Sequence, residues 1–310
     1  MSDADQSSAV FTISDVARET GIAKETLRVW ERRYGFPRPE RDAHGERVYP
    51  ADQLQRLRQL RRLLDLGHRP GKLLGMSPAE LEALAEPAAA AVCPQDPPEI
   101  QHCLRLVREH QTDELRHYLT QAALQRGLRD FVTSLAGPLT QLMGEAWASG
   151  QLAVFEEHLF SEVLQVVLRN AIYAMGHRGQ RPRILLTTVP QERHALGLLM
   201  AEALFALEGA QCISLGVATP LSEIASAAQA QQADVVALSF SASVPQRATL
   251  EALGQLRERL PAHIGLWAGG AGTRLARRQL PAGVRILDLG EVAGTLQEWR
   301  ANADWQGQGL

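Results

Sequence analysis

At 310 residues, with 45% hydrophobic and 22% charged side chains, the chain has the size and composition of roughly two or three globular domains. No apolar run approaches the ~20 residues of a membrane span, and the opening MSDADQSSAV lacks the basic and apolar segments of a signal peptide, so a cytoplasmic protein with no membrane partner is expected. The net charge of −3 is uneven: residues 11–75 hold fourteen Lys/Arg against nine Asp/Glu, a balance of +5 that leaves −8 elsewhere and suits one segment that meets a polyanion.

Residues 11–75 predict short helices. FTISDVARETGI offers Thr12 as N-cap, Asp15 three residues on, and Gly21 as the stop. KETLRVWERRYG predicts a second helix from Lys24 to Gly35. Pro37, Pro39 and Gly45 exclude helix from FPRPERDAHGERVYP, and its Asp-Ala-His-Gly run predicts a hairpin tip. Pro50 suits the first turn of ADQLQRLRQLRRLLDLG, closed by Gly67. Ser77, Pro78 and Glu80 form a capping box for a brief helix. The proline-rich EPAAAAVCPQDPPE marks a linker, giving an N-terminal domain over 1–76 and a linker with a short helix over 77–98. A helical pattern over 99–178, with breaks near Gly127, Gly137 and Gly150, predicts a four-helix bundle of short loops.

Over 181–302 the period changes. The apolar runs ILLTTV, CISLGV, DVVALSF, IGLWAGG and RILDLG alternate with helical stretches. Strands without polar alternation are buried on both faces, which predicts a parallel, doubly wound, Rossmann-like α/β domain. Cys93, Cys103 and Cys212 form no CxxC pair, arguing against a structural zinc site and for a reducing compartment.

Two helices joined by a tight glycine turn, then a hairpin and a further helix, make a winged helix-turn-helix. Arginine in the major groove can fork onto guanine or clamp phosphate. TISDVARETGIAKETLRVWERRYGFPRPERDAHGERVY resembles the DNA-binding domain of MerR-type transcriptional regulators. The carriers are Thr26-Leu27-Arg28, Trp30-Glu31-Arg32-Arg33-Tyr34-Gly35 and Gly45-Glu46-Arg47-Val48-Tyr49. The resemblance implies contacts to double-stranded operator DNA from Lys24, Thr26, Arg28, Arg32, Arg33 and Tyr34 on the second helix. It adds Arg41, Arg47 and Tyr49 on the wing, and makes Trp30 core. Metal-sensing members place cysteines after a long dimerisation helix; that cluster is missing here, which implies another effector.

Ligands bind doubly wound sheets outside the carboxyl ends of the strands. Glu192-Arg193-His194 follows the first strand, Ser239-x-Ser241 the third and Gly269-Gly270 the fourth. Forty-one residues separate Gly197 from Ser239, and twenty-seven separate Ser241 from Gly269. The set Glu192-x-His194-x-x-Gly197, Ser239-x-Ser241, Gly269-Gly270 is similar to the cobalamin-binding signature of corrinoid proteins, with Ser241 where the signature has Leu. The resemblance implies that His194 is the lower axial cobalt ligand, that Glu192 orients its ring, and that Ser239 and the glycines leave room for the displaced nucleotide tail. Upstream, Trp147-x9-Glu157-His158 resembles the light-sensing cobalamin repressors of the CarH and LitR type, where these residues cover the upper, adenosyl-bearing face. Some of those photoreceptors carry a His directly after the Trp; here it is Ala148.

The resemblance spans residues 11 to about 300, three modules in the family's order. It implies a non-enzymatic transcriptional regulator, a repressor, that binds adenosylcobalamin, responds to light or cobalamin and assembles as a dimer or tetramer. A MerR-type regulator sensing another ligand or a partner protein is the alternative. A corrinoid-dependent enzyme would need a substrate domain such as a barrel of ~250 residues, for which the chain has no room.

Overall fold

The computed structural model describes residues 10–42, 45–65, 70–77, 80–81, 84, 97–148, 151–176, 179–273 and 279–307. The chain divides into two compact units, one up to residue 91 and one from residue 92 onward, with residues 148–151 grouping with the first. Most of the predicted linker, the hairpin tip at 43–44, Gly67 and Gly150 lie outside the described residues.

In the first unit, β1 (Val10–Thr12) leads into α1 (Ile13–Thr20) through the predicted capping box: the Thr12 hydroxyl accepts from the Asp15 amide, and the Asp15 carboxylate accepts from Thr12 N–H. Gly21 ends the helix at φ +66°, a left-handed turn that costs glycine nothing. α2 (Lys24–Tyr34) follows and stops at Gly35 in the same way. The wing is β2 (Glu40–Arg41) and β3 (Arg47–Pro50), and α3 (Ala51–Asp65) and α4 (Pro70–Leu73) complete the unit.

Three features depart from the sequence pattern. β1 pairs with β3, making a three-stranded sheet of order β1-β3-β2, and Pro50 ends β3 rather than opening α3. Leu81 is fully buried in the same core as Val16, Leu27, Trp30 and Tyr49, so the apolar pattern of this unit runs past residue 76.

The second unit begins with the bundle: α5 (Pro98–Arg108), α6 (Thr112–Arg126), a third rod, and α9 (Val154–Ala174). The third rod comprises α7 (Leu128–Asp130), a π-helical turn over Phe131–Ala136 and α8 (Gly137–Ala148). The break expected at Gly137 does not occur. Phe131, Val132, Leu135, Ala136 and Leu139 are all buried, and that continuous packing holds Gly137 at helical φ −62°.

A five-stranded parallel sheet follows, of β4 (Gln180–Thr187), β5 (Ala210–Ser214), β6 (Val235–Ser239), β7 (Gly265–Gly269) and β8 (Val284–Ile286), in the order β5-β4-β6-β7-β8. Its helices are α10 (Leu196–Leu207), α11 (Leu221–Ala230), α12 (Gln246–Arg259) and α13 (Val292–Gly307). Successive strand residues serve opposite cores: Ile184 and Leu186 join the core shared with the bundle and α10, while Leu185 joins the one under α11 and α12. That is why these strands read as unbroken apolar runs. The strand order reverses between β4 and β6, and the carboxyl ends of strands at such a switch point are where open α/β sheets hold ligands.

Candidate functional site

The loop after β4 places Glu192 and His194 at that switch point. Glu192 is 1% exposed, and both of its carboxylate oxygens accept hydrogen bonds. One oxygen accepts from the His194 amide at 2.8 Å and from His194 Nδ1 at 2.6 Å; the other accepts from the Ser241 amide, in the loop after β6, at 2.6 Å. Thr188 Oγ1 donates to the Glu192 carbonyl at 2.6 Å and accepts from the Ala218 amide at 2.8 Å, tying this turn to the loop after β5. Burial pushes the Glu192 carboxyl up, but the hydrogen bonds from His194 and Ser241 outweigh it and hold the group below the ordinary carboxylate range.

An ionised Glu192 requires a donor, so His194 carries a proton on Nδ1, and in the neutral ring the lone pair is then on Nε2. The imidazole itself is 61% exposed. An exposed ring oriented by a buried carboxylate has the geometry with which a histidine could ligate a metal. Among the described residues no group of three or more His, Cys, Asp or Glu could hold a metal ion. Burial pushes the Cys103 and Cys212 thiols up to about 12, which leaves them no thiolate character.

The signature's small residues stand at close approaches. A Cβ on Gly197 would meet Ser239 Oγ at 2.6 Å, and one on Gly269 would meet the Leu287 carbonyl oxygen at 2.7 Å. Gly270 has φ +96°, and its Cβ would lie 2.3 Å from the Phe240 carbonyl oxygen. Only glycine lets the β6 and β7 ends sit this closely. Ser243 went unnoticed in the sequence: its hydroxyl lies 2.7 Å from Ser241 Oγ and 3.4 Å from His194 Nδ1, while Ser241 Oγ is 3.1 Å from the same nitrogen. The position that departs from the signature thus contributes through its backbone amide, which any residue supplies, and adds a hydroxyl.

On the bundle, Trp147 is half-buried against the shared core near the end of α8. Glu157 and His158 lie in the first turns of α9, the helix that packs along α10. Glu157 accepts from Ser161 Oγ at 2.6 Å and engages His158 Nδ1 at 2.7 Å, so this second histidine too has Nδ1 committed to a carboxylate. No helix among the described residues is long and apolar enough to cross a membrane.

In the first unit, buried Leu27 and Trp30 fix the inward face of α2, leaving Glu25, Arg28, Val29, Arg32 and Arg33 exposed. Lys24 donates to Ser14 Oγ at 2.8 Å, and Thr26 is half-buried. Tyr34 lies under α4: a Cβ on Gly71 would come 3.3 Å from its hydroxyl, and Arg33 stacks over its ring at 5.3 Å. Arg41 braces the wing by donating to the Gly45 carbonyl at 2.6 Å. Arg47 reaches across to Glu31 at 3.1 Å, joining wing to helix. Tyr49 corrects an expectation. It is 0% exposed in the core, opposite Phe11 in register, and has no side-chain surface to offer a ligand.

The family described as MerR HTH family regulatory protein matches residues 11–79, and two families described as B12 binding domain match residues 99–171 and 182–299. The chain is 31% identical over 270 residues to the HTH-type transcriptional repressor CarH of Myxococcus xanthus, spanning 85% of this chain and 90% of CarH. It is 31% identical over 273 residues to the HTH-type transcriptional repressor CarA of the same organism, spanning 84% and 87%. The monomethylamine corrinoid protein of Methanosarcina barkeri shares the fold at TM-score 0.51 and 14% identity, over 64% of this chain and 96% of that one. With a winged helix-turn-helix, a helical bundle and a parallel sheet bearing a carboxylate-held histidine at its switch point, the chain belongs to the MerR-type transcriptional regulators that carry a B12-binding region, the family of CarH and CarA.

Proposed function

We propose that this protein is a repressor that binds double-stranded operator DNA as a homo-oligomer, holds adenosylcobalamin, and releases DNA in light. The observation that carries the cofactor reading is the Glu192–His194 pair, whose buried carboxylate orients a largely exposed imidazole at the sheet's switch point. His194 would hold the cobalt through Nε2, with Ser239, Gly197, Gly269 and Gly270 as the small residues beside it. Trp147, Glu157 and His158 would contact the upper ligand. When bound, adenosylcobalamin supplies a photolabile cobalt–carbon bond. The protein's part is to hold α8 and α9 in one arrangement while the upper contact exists and to relax when it is lost, a shift no larger than the differential contacts of the two states. Ala148 offers no imidazole after Trp147, so the illuminated protein should hold its cofactor less firmly than a protein with histidine at that position would. Gel filtration and operator binding of the loaded protein, dark against green light, test the proposal. A smaller assembly and weaker DNA binding after illumination are expected; unchanged assembly and affinity with photolysis confirmed spectrally would reject the light switch.

DNA binding should reside in the first unit and weaken steeply with salt, each neutralised phosphate adding a slope of about −0.9 in log K against log salt. Arg28→Ala should weaken operator binding by about 1–3 kcal/mol if the guanidinium forks onto a base edge. Arg47→Ala should act differently. Its pair with Glu31 is 37% and 30% exposed, and such pairs are worth about 0–1 kcal/mol, so Arg47 can leave Glu31 for a phosphate at small cost. Its removal should flatten the salt slope by about 1 without changing sequence preference. Fluorescence anisotropy over a salt series separates the two; equal slopes for Arg47→Ala and the parent would remove Arg47 from the phosphate contacts.

A further inference from the structure

We infer that Val29 reads a thymine C5-methyl group in the major groove and helps set the operator sequence. This rests on the DNA-binding reading of α2 and goes beyond the arginines that reading already uses. Val29 lies between buried Leu27 and buried Trp30, yet its own side chain is 41% exposed on the outward face of the helix. A β-branched residue at an exposed helical position loses rotamer freedom and lowers helix propensity relative to alanine. The fold therefore gains little from Val29 being there.

Its surroundings say what kind of surface it meets. One turn before it is Glu25, beside it Arg28, and one turn after it Arg32 and Arg33, all exposed. The only other exposed large hydrophobic among the described residues of this unit is Val10, on β1. A site for an apolar protein partner would gather several such side chains into a patch. Here a single isopropyl group shares its helix with exposed Arg28, Arg32 and Arg33, which suits a polyanion whose groove floor carries one isolated apolar feature. The thymine methyl is that feature in the major groove, and apolar side chains are its usual readers. The Glu25 carboxylate lies 3.8 Å from an Arg28 guanidinium nitrogen, within ion-pair reach. An acid would oppose close phosphate contact on this face, so the centre of the face suits base edges better than backbone.

The test starts from a duplex enriched by the full-length protein out of randomised DNA. Each thymine of one half-site is then replaced in turn by deoxyuridine, which removes only the methyl group. At one position the parent protein should lose about four-fold in affinity, the equivalent of roughly 0.8 kcal/mol for one buried methyl-sized group. Val29→Ser should bind the thymine and deoxyuridine duplexes equally, and should match the parent on the deoxyuridine duplex within about two-fold. Because Val29 is exposed, circular dichroism of the variant should be unchanged. Enrichment of a duplex with no methyl-sensitive position, or an equal methyl effect in Val29→Ser, would overturn this inference and leave DNA binding intact. Failure to enrich any duplex would overturn the DNA-binding reading and this inference with it.

Discussion

A His194→Ala protein should fail to retain cobalamin through gel filtration, with an affinity loss of two orders of magnitude or more, on the order of 3 kcal/mol. The side chain removed is the exposed imidazole at the switch point, and its loss strands a buried carboxylate that accepts from Nδ1–H. Glu192→Gln should be milder, about 10- to 100-fold in cofactor affinity, the usual cost of losing a partner that orients a ligating histidine. The carboxylate also has a pH signature. Its folded pKa lies below the ordinary value, so its contribution to stability is present above the unfolded carboxylate pKa and is lost as pH falls through the lowered one. The parent should therefore lose apparent stability on acidification through and below the ordinary Glu range, and Glu192→Gln should lose less over the same interval. Absorption spectra of the reconstituted variants, and electron paramagnetic resonance of the reduced cob(II)alamin form with labelled histidine, read the ligand directly. Undiminished binding with histidine hyperfine coupling in His194→Ala would place the ligand elsewhere, and His158, with Nδ1 held by Glu157, would be the first residue to examine.

Most of the architecture was legible because its signals are local. Uniform apolar strands such as Val235–Leu238 advertise burial on both faces, and glycines at Gly21 and Gly35 advertise helix ends. The spacing of Glu192, His194, Ser239 and Gly269 is legible as a pattern because these residues stand at or just after the carboxyl ends of three strands of one sheet, β4, β6 and β7. What the sequence hid depends on pairings between distant segments. Tyr49 sits among basic wing residues, and alternation along β3 cannot say which face is inward until β1 is known to lie beside it; Phe11 opposite Tyr49 settles that. Arg47 looks like one more free cation until the fold brings Glu31 within 3.1 Å. Ser243 looks like any loop serine, and only the turn after β6 brings its hydroxyl toward His194.

Gly270→Ala should strongly destabilise the α/β part of the second unit, costing roughly 2–6 kcal/mol. Two penalties combine. At φ +96° an L side chain is strained by about 1–3 kcal/mol, and the added carbon would sit 2.3 Å from the Phe240 carbonyl oxygen, an overlap whose relief typically costs a further 1–3 kcal/mol. That oxygen cannot simply swing away, because it accepts from the Gly272 amide at 3.0 Å while the Phe240 amide is bonded to the Gly269 carbonyl at 2.9 Å. The β6 and β7 loops would have to separate together, drawing Ser241 and its amide from Glu192. A loss of this size is a large share of the roughly 5–15 kcal/mol that holds a domain together. Gly294→Ala is the matched control. It lies in α13 with no atom within 4 Å of a built Cβ and no left-handed φ, so alanine there should stabilise by about 0.5–1 kcal/mol through helix propensity alone. Urea titrations of the two variants beside the parent measure the contrast. If Gly270→Ala unfolds at the parental midpoint, the loops are free to part, and the tight β6–β7 edge cannot be what holds Ser241 against Glu192.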